Sequence, residues 1–510
     1  MSGRRKRAVS PNEDAEEYCT ASPECSDSEY TKPVRRHASK VTKRKKQRRE
    51  ENEPHGPVLY HNAGTKHLKS LHILASVASM QNSLLLWYST VRDARGMPWR
   101  KPFDPTLGPS EKAQRAYEVW ISEIMLQQTQ VATVIPYYNT WMKKFPTLSH
   151  LASSSIDDVN ALWKGLGYYS RASRLLAGAQ KAVKEYGGKL PDNAREMEAN
   201  IPGIGRYSAG AICSIAYGER VPVLDGNVHR LLSRILALHS PPKGKATLNI
   251  LWDAATAMVQ NVDNTDTDTL EKNPGDINQA LIELGSTVCK VREPSCESCP
   301  LRPWCNAYAF QSGNFSTVLD IEDLCTLCEP LLANPSVLDY PMKVDRKKAR
   351  AEVDVVSVVE WCPASPPARR MFLLVRRPDK GLLAGLYEFP TTSNVSSNGE
   401  DNHIELASEQ IKLLIASPIS SLHPRGDSEP ECHPDHYHIV HVRSAGKIQH
   451  VFSHIKKTYR VQWVLIGGGR EPPRLKASFP NNSLDQKGQK STGRSPQAIW
   501  IPIEGVAEAK

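Results

Sequence analysis

The sequence predicts a multidomain chain: a mainly α-helical domain over residues 79–311, a connector over 312–352, and a mixed α/β domain over 353–510. Three observations carry this reading. From Gln81 to Ala309, apolar residues recur at three-to-four spacing in RAYEVWISEIMLQQTQVATVIPYY, DVNALWKGLGYYSRASRLLAGAQKAVKEY and VHRLLSRILAL, with Pro/Gly turns between the runs. From residue 353 the pattern becomes that of strands, Val-rich in EVDVVSVVEW, then Pro-rich turns, then MFLLVRR. Between the two, periodicity is lost and the basic run KVDRKKAR closes the connector. A length of 510 residues also exceeds what one ordinary core serves.

Ahead of the helical pattern, residues 1–78 are charged, contain Ser and Pro, and lack hydrophobic periodicity, so they read as a disordered tail. The polar stretches 392–403 and 470–496 read as loops of the same kind inside the second domain, and no internal repeat is evident. The opening MSGRRKRAVS lacks the apolar stretch of a secretory signal, and no run approaches the roughly 20 apolar residues of a membrane span.

The net charge of +10 is unevenly placed. The first fifty residues hold 14 Lys+Arg against 8 Asp+Glu, which leaves only +4 for the remaining 460. Any nucleic-acid affinity of the folded part therefore has to come from local patches. The basic run KVTKRKKQRRE in the tail reads as a nuclear-import signal or a loose DNA-attracting arm, beside the plainer reading of a solvated arm.

Of eleven cysteines, six fall between Cys289 and Cys328, a crowding that suits metal better than disulfides in an intracellular chain. Cys289, Cys296, Cys299 and Cys305 lie within seventeen residues, enough soft thiolate to surround either a zinc ion or an iron–sulfur cluster. Cys325 and Cys328 form a CxxC pair, which is half a zinc site.

Ile201-Pro202-Gly203-Ile204-Gly205-Arg206-Tyr207 has the form of a tight turn between two helices. Unpaired N–H groups at such a turn, helped by a helix dipole, suit one DNA phosphate and read no sequence. Many helix pairs use glycine there for packing alone. Glu123 sits among apolar neighbours on a helix, where desolvation raises a carboxyl pKa toward what a general acid needs. The plainer alternative is a rim Glu that reaches solvent or a Lys. Asp225, in DGN ahead of the apolar run VHRLLSRIL, is placed to cap a helix.

Taken together, these motifs resemble the endonuclease III/MutY superfamily of helix-hairpin-helix DNA repair glycosylases. SEIMLQQTQV matches its adenine DNA glycosylase (MutY) branch almost residue for residue. The resemblance runs over residues 80–310 and, less closely, 353–465. It implies a helical catalytic domain with a six-helix barrel, the hairpin and an iron–sulfur subdomain. The four thiolates of Cys289, Cys296, Cys299 and Cys305 would then hold a [4Fe–4S] cluster that shapes a basic loop, here Lys290, Arg292 and Arg302, against DNA. Glu123 would protonate adenine as the leaving group. Asp225 would stabilise the cationic sugar, as a second carboxylate does in glycoside hydrolysis, and Asn227 would position groups beside it. Tyr207 stands where strand-cleaving members carry the Lys that forms a Schiff base, which implies a monofunctional enzyme. The target base has to leave the duplex, and Gln128 and Tyr168 match the residues that wedge beside its orphaned partner.

The second domain resembles the Nudix-like domain of the same family through GLLAGLYEFP (381–390) and HVFSHIKKTYRV (450–461). It lacks the Glu-dense helix that Nudix hydrolases use to bind magnesium. In the family, the loop equivalent to Phe452-Ser453-His454 reads 8-oxoguanine on the opposite strand. Mammalian relatives place a zinc in the connector, with a further connector Cys and an N-terminal His. Here the extra Cys is missing, and His67 or His72 is the candidate distant ligand of Cys325 and Cys328. The expected substrate is duplex DNA with adenine opposite 8-oxoguanine or guanine, acted on by a monomer. A checkpoint or replication clamp and an abasic-site endonuclease are the partners the resemblance implies, in the nucleus and also the mitochondrion. Animal members end in a helix and a clamp-binding peptide, whereas PQAIWIPIEGVAEAK closes this chain soon after an expected strand, which counts against clamp binding by that route.

Overall fold

The computed structural model describes residues 67–260, 272–313, 323–331, 335–344, 349–363, 370–378, 385–395, 403–420, 437–452, 455–476 and 498–508. The chain divides into two compact units, one holding residues up to Ser154 together with Leu175–Val344, the other Ser155–Arg174 together with Asp345–Lys510. The division at 344/345 falls inside the connector. No helix is long and apolar enough to cross a membrane among the described residues.

The helical part runs α1 (Val77–Val91), α2 (Pro109–Leu126), α3 (Val131–Lys144), α4 (Leu148–Ala152), α5 (Ile156–Trp163), α6 (Ser170–Tyr186), α7 (Ala194–Asn200), α8 (Arg206–Ile212), α9 (Gly226–Ile235), α10 (Lys245–Gln260), α11 (Pro274–Thr287) and α12 (Asn306–Gln311). The starts follow local chemistry. Pro109 opens α2 at a position whose N–H has no partner anyway, and Glu111 accepts from the Gly108 N–H at 2.8 Å. Asn273 caps α11 through the N–H groups of Gly275 and Asp276, with Pro274 at its first position. α2 buries Ala116, Tyr117, Val119, Trp120, Ile121, Ile124 and Met125. The polar end of its Tyr117 is satisfied: the hydroxyl donates to the Phe145 carbonyl at 2.7 Å and accepts from the Trp141 indole at 3.1 Å.

α9 and α11 pack closely, and one glycine decides how closely. A Cβ on Gly285 would sit 2.7 Å from the Asn227 carbonyl oxygen, so only glycine lets α11 approach the start of α9. Order also begins earlier than the tail expected through residue 78. Lys69–His72 form a 3₁₀ turn, Leu68 bridges to Leu324, and the Lys69 N–H donates to the Asp323 carbonyl at 2.8 Å. Backbone pairing with the connector holds this segment, a long-range term that periodicity does not report.

The second unit contains strands β1 (Arg350–Cys362), β2 (Met371–Arg376), β3 (Tyr387–Glu388), β4 (Thr391–Thr392), β5 (Ile419–Ser420), β6 (Tyr437–Val451), β7 (Ile455–Gly468) and β8 (Ala498–Pro502), with α13 (His403–Leu414) and α14 (Ile503–Glu508). The sheet order is β3-β2-β1-β7-β6-β5, with β4 on β1 and β8 on β2. β1 and β7 run parallel and β6 and β7 antiparallel, the mixed sheet expected of an α/β domain. Val359, Trp361, Leu373, Ala407, Ile411, Ile439, Val464 and Ile466 form its core. Where the sequence reading has the chain stopping soon after a strand, the short helix α14 follows β8. Beyond the core the β6–β7 ribbon continues with residues 443–451 exposed.

Candidate active site

Glu123 lies on α2, between the buried Ser122 and Ile124. Its Oε2 accepts a hydrogen bond of 2.7 Å from the Tyr207 hydroxyl, which α8 presents just after the hairpin turn. Desolvation pushes the Glu123 pKa up to about 7, and the Asp225 charge adds to the rise. Tyr207 and the Arg100 guanidinium pull it back down. At neutral pH such a carboxyl is half protonated, the poise a general acid needs.

Asp225 caps α9. Its Oδ1 accepts from the Val228 N–H at 2.7 Å and its Oδ2 from the Asn227 amide at 2.8 Å. Burial raises its pKa, and these donors together with the Arg230 charge oppose the rise. Two carboxyls thus stand in unlike surroundings, one meeting a neutral hydroxyl and the other a ring of donors suited to an anion. Asn227 is held in turn, its Oδ1 accepting from Arg230 at 3.0 Å. Arg230, itself buried, donates to the Gly285 carbonyl at 2.7 Å and the Cys289 carbonyl at 2.9 Å. A continuous hydrogen-bonded path therefore joins the cysteine loop to Asp225.

Because the Tyr207 hydrogen bond favours the ionised form of Glu123, removing it raises the pKa further. Tyr207→Phe is expected to move the falling limb of the pH–rate profile for base release to higher pH. A single-turnover pH series checks this, and an unmoved or downward-shifted limb would contradict the assignment.

The hairpin turn lies between α7 and α8. Gly203 has φ +80°, which a side chain would strain, and Ile201 and Ile204 are buried while Pro202 and Arg206 are exposed. Gly205 provides no side-chain cap for the first N–H groups of α8. Gln128 and Tyr168 are both exposed and both left-handed, at φ +57° and +48°. Non-glycine residues held so are strained and gather at functional sites. Around Tyr168, Arg171 donates to the Leu166 and Gly167 carbonyls at 2.9 and 3.1 Å, which pins the loop.

Cys289, Cys296, Cys299 and Cys305 line one cavity together with Arg234, Leu301 and Tyr308. Arg234 is 2% exposed. It donates to the Cys289 Sγ at 3.2 Å and to the carbonyls of Lys290, Val291 and Tyr340 at 2.7, 3.2 and 3.0 Å. A buried cation set on a thiol balances a cofactor that thiolates would make anionic. Of the basic loop residues, Lys290 and Arg292 are exposed, but Arg302 is engaged within the protein by Glu297 and by the ring of Tyr308.

A second group also converges. The ligand atoms of His67, His72, Cys325 and Cys328 all lie within 4.8 Å of one another. His72 Nε2 is 3.1 Å from His67 Nε2, 3.3 Å from Cys325 Sγ and 3.4 Å from Cys328 Sγ. Its Nδ1 meets the Leu236 carbonyl at 3.0 Å, which leaves Nε2 as the atom turned to the group. The sequence offered His67 and His72 as alternatives; the fold brings both. The cysteine-rich loop and this His/Cys group are each able to hold metal.

Phe452 lies at the tip of the β6–β7 ribbon, its N–H donating to the Ile455 carbonyl at 2.8 Å, and Ser453 and His454 fall outside the described residues.

Sequence reasoning missed Arg100, Glu283, Arg230 and Arg234. Arg100 and Arg95 both pair with the buried Glu283 Oε2, at 2.7 and 3.2 Å, and Arg100 is close enough to act on the charge of Glu123. Arg230 and Arg234 did leave a trace, as two cations four residues apart inside the apolar run VHRLLSRIL. A helix buried on that face has to pair them.

Residues 121–256 match the family described as HhH-GPD superfamily base excision DNA repair protein. The chain is 39% identical over 409 residues to an adenine DNA glycosylase of Rattus norvegicus, covering 78% of this chain and 72% of that protein. It is 38% identical to one of Homo sapiens, covering 82% and 72%, and 36% identical to one of Schizosaccharomyces pombe, covering 76% and 82%. With Glu123, Tyr207 and Asp225 gathered on a helix-hairpin-helix framework, the chain belongs to the adenine DNA glycosylase family, the DNA N-glycosylases of base excision repair.

Proposed function

We propose that this glycosylase releases adenine from A:8-oxoguanine and A:G pairs in duplex DNA and leaves an abasic site without cutting the strand. The observation that carries the chemistry is the Glu123 carboxyl, poised at about pH 7 against the Tyr207 hydroxyl with Asp225 nearby. The adenine is extruded, Gln128 and Tyr168 fill the space beside its partner, and the hairpin from Pro202 to Arg206 grips the backbone. Glu123 protonates the departing base. Asp225, oriented by Asn227, stabilises the sugar cation until water adds. Tyr207 carries no amine, so no Schiff base forms and the strand stays intact.

The preference for 8-oxoguanine is assigned to the tip of the β6–β7 ribbon, Phe452 with Ser453 and His454. From His436 to Arg470 the sequence contains no Asp or Glu, which suits a ribbon laid against phosphates. Single-turnover release from A:8-oxoguanine, beside A:G, A:T and C:8-oxoguanine duplexes, tests the whole reading. Release confined to the first two, with breaks only after alkali, supports it. Breaks without alkali would instead indicate a glycosylase/lyase.

Cys289, Cys296, Cys299 and Cys305 would hold a [4Fe–4S] cluster, and the thiol-lined cavity with the Arg234 guanidinium on Cys289 fits that group. When bound, it ties the loop together and supplies no excision chemistry. His67, His72, Cys325 and Cys328 would hold zinc, whose bond lengths put neighbouring ligands about 3.3–3.8 Å apart, close to the spacing found at His72. Metal analysis of the full chain is expected to give about one zinc beside about four irons. A Cys328→Ser variant is expected to lose the zinc and keep the iron; zinc retained in it would remove the assignment. Nuclear import through KVTKRKKQRRE, a mitochondrial share, and contact of the connector with a clamp or an abasic-site endonuclease complete the proposal, on the sequence and the resemblance alone.

A further inference from the structure

Arg206 is the exposed first residue of α8, immediately before Tyr207. Its guanidinium carbon lies 3.6 Å from the centroid of the Trp252 ring, which α10 presents half-buried. The other cation–ring pairs among the described residues lie at 5.2 to 5.8 Å. A separation of 3.6 Å is van der Waals contact, and a planar cation turned edge-on at that distance would drive its nitrogens into the ring, so the contact requires the guanidinium to lie along the indole face. No carboxylate pairs with Arg206 among the described residues.

Flat stacking leaves one consequence open to chemistry. The five N–H groups of a guanidinium point outward in its own plane. A ring against one face therefore fixes that plane without using a donor, and the edge remains free for the fork geometry in which arginine meets a phosphate. An unsupported arginine loses rotamer freedom when it binds; a stacked one has already given up part of it.

We infer that Trp252 is a positioning residue for DNA binding: it holds the Arg206 guanidinium in the plane from which its edge engages a backbone phosphate. This rests on the reading that Arg206 contacts DNA. Trp252 touches neither the base nor the sugar, and it acts through Arg206 alone.

The test is affinity for a short undamaged duplex as a function of salt, measured on the full-length, metal-loaded protein. Arg206→Ala is expected to weaken binding about tenfold and to reduce the salt slope by about one. Trp252→Leu, which keeps bulk and loses the aromatic face, is expected to weaken binding about two- to fivefold, the worth of an exposed cation–ring contact. Trp252→Phe should stay close to the parent. Adding Trp252→Leu to Arg206→Ala should cost nothing more. If Leu and Phe at 252 behave alike, or if the two losses add in the double variant, Trp252 merely packs and the inference fails while Arg206 keeps its role. If Arg206→Ala leaves affinity and slope unchanged, the DNA contact itself is wrong and the inference falls with it.

Discussion

Glu123→Gln is expected to slow adenine release by about 10²–10⁴-fold, the range typical of a lost general acid. Glutamine keeps the shape and can still accept the Tyr207 hydrogen bond seen at 2.7 Å, so duplex binding should survive while proton delivery does not. The pH dependence identifies the cause. With the Glu123 pKa at about 7, the parent rate should fall tenfold per unit as pH rises well above that value, and the residual rate of Glu123→Gln should lack that limb. The sign for stability runs the same way. A carboxyl raised in the folded state from 4.5 to about 7 binds its proton more tightly there than in the unfolded chain. Stability is therefore lost as pH rises from about 4.5 to 7. Glu123→Gln removes that loss and should melt higher than the parent at pH 8. Unchanged single-turnover release across pH 5 to 9 would refute the acid role.

Asp225 allows a sharper separation. Its carboxylate caps α9 through the Val228 N–H, and the proposed function gives it a second duty, to stabilise the charge that develops on the sugar. Asparagine caps a helix about as well as aspartate. Burial raises the Asp225 pKa, so the neutral amide also sheds a charge that costs stability at neutral pH: Asp225→Asn should melt at or above the parent and still lower adenine release by about 10²–10³-fold, as losses of preorganised electrostatic stabilisation do. Asp225→Ala should lose the same chemistry and about 1 kcal/mol of stability as well. Thermal melts beside single-turnover rates distinguish the two. Release by Asp225→Asn within threefold of the parent would reduce Asp225 to a cap.

Sequence alone made much of the molecule legible. The 3.6-residue pattern located the helices because their buried faces repeat. Glu123, Tyr207 and Asp225 were readable because each sits in a short motif whose neighbours are contiguous in sequence: the apolar helix, the hairpin turn and the cap. The four cysteines from 289 to 305 were legible for the same reason. The CxxC pair at 325 and 328 announced half a site.

The rest depended on groups that meet only after folding. Arg234 lies more than fifty residues before the loop whose carbonyls and thiol it binds, and Arg230 joins Cys289 to Asn227 across the same gap. His72 reaches Cys325 and Cys328 from over 250 residues away, and nothing in local periodicity chooses between it and His67. The left-handed backbones of Gln128 and Tyr168 cannot be read from residue types that disfavour them, since packing imposes them. The residues, their order and their local periodicity determined the helical core, its candidate acid and its cysteine loop. The tertiary structure decided what sets their strength: a carboxyl pKa follows from desolvation, and a buried arginine or histidine from the distant polar groups that must satisfy it.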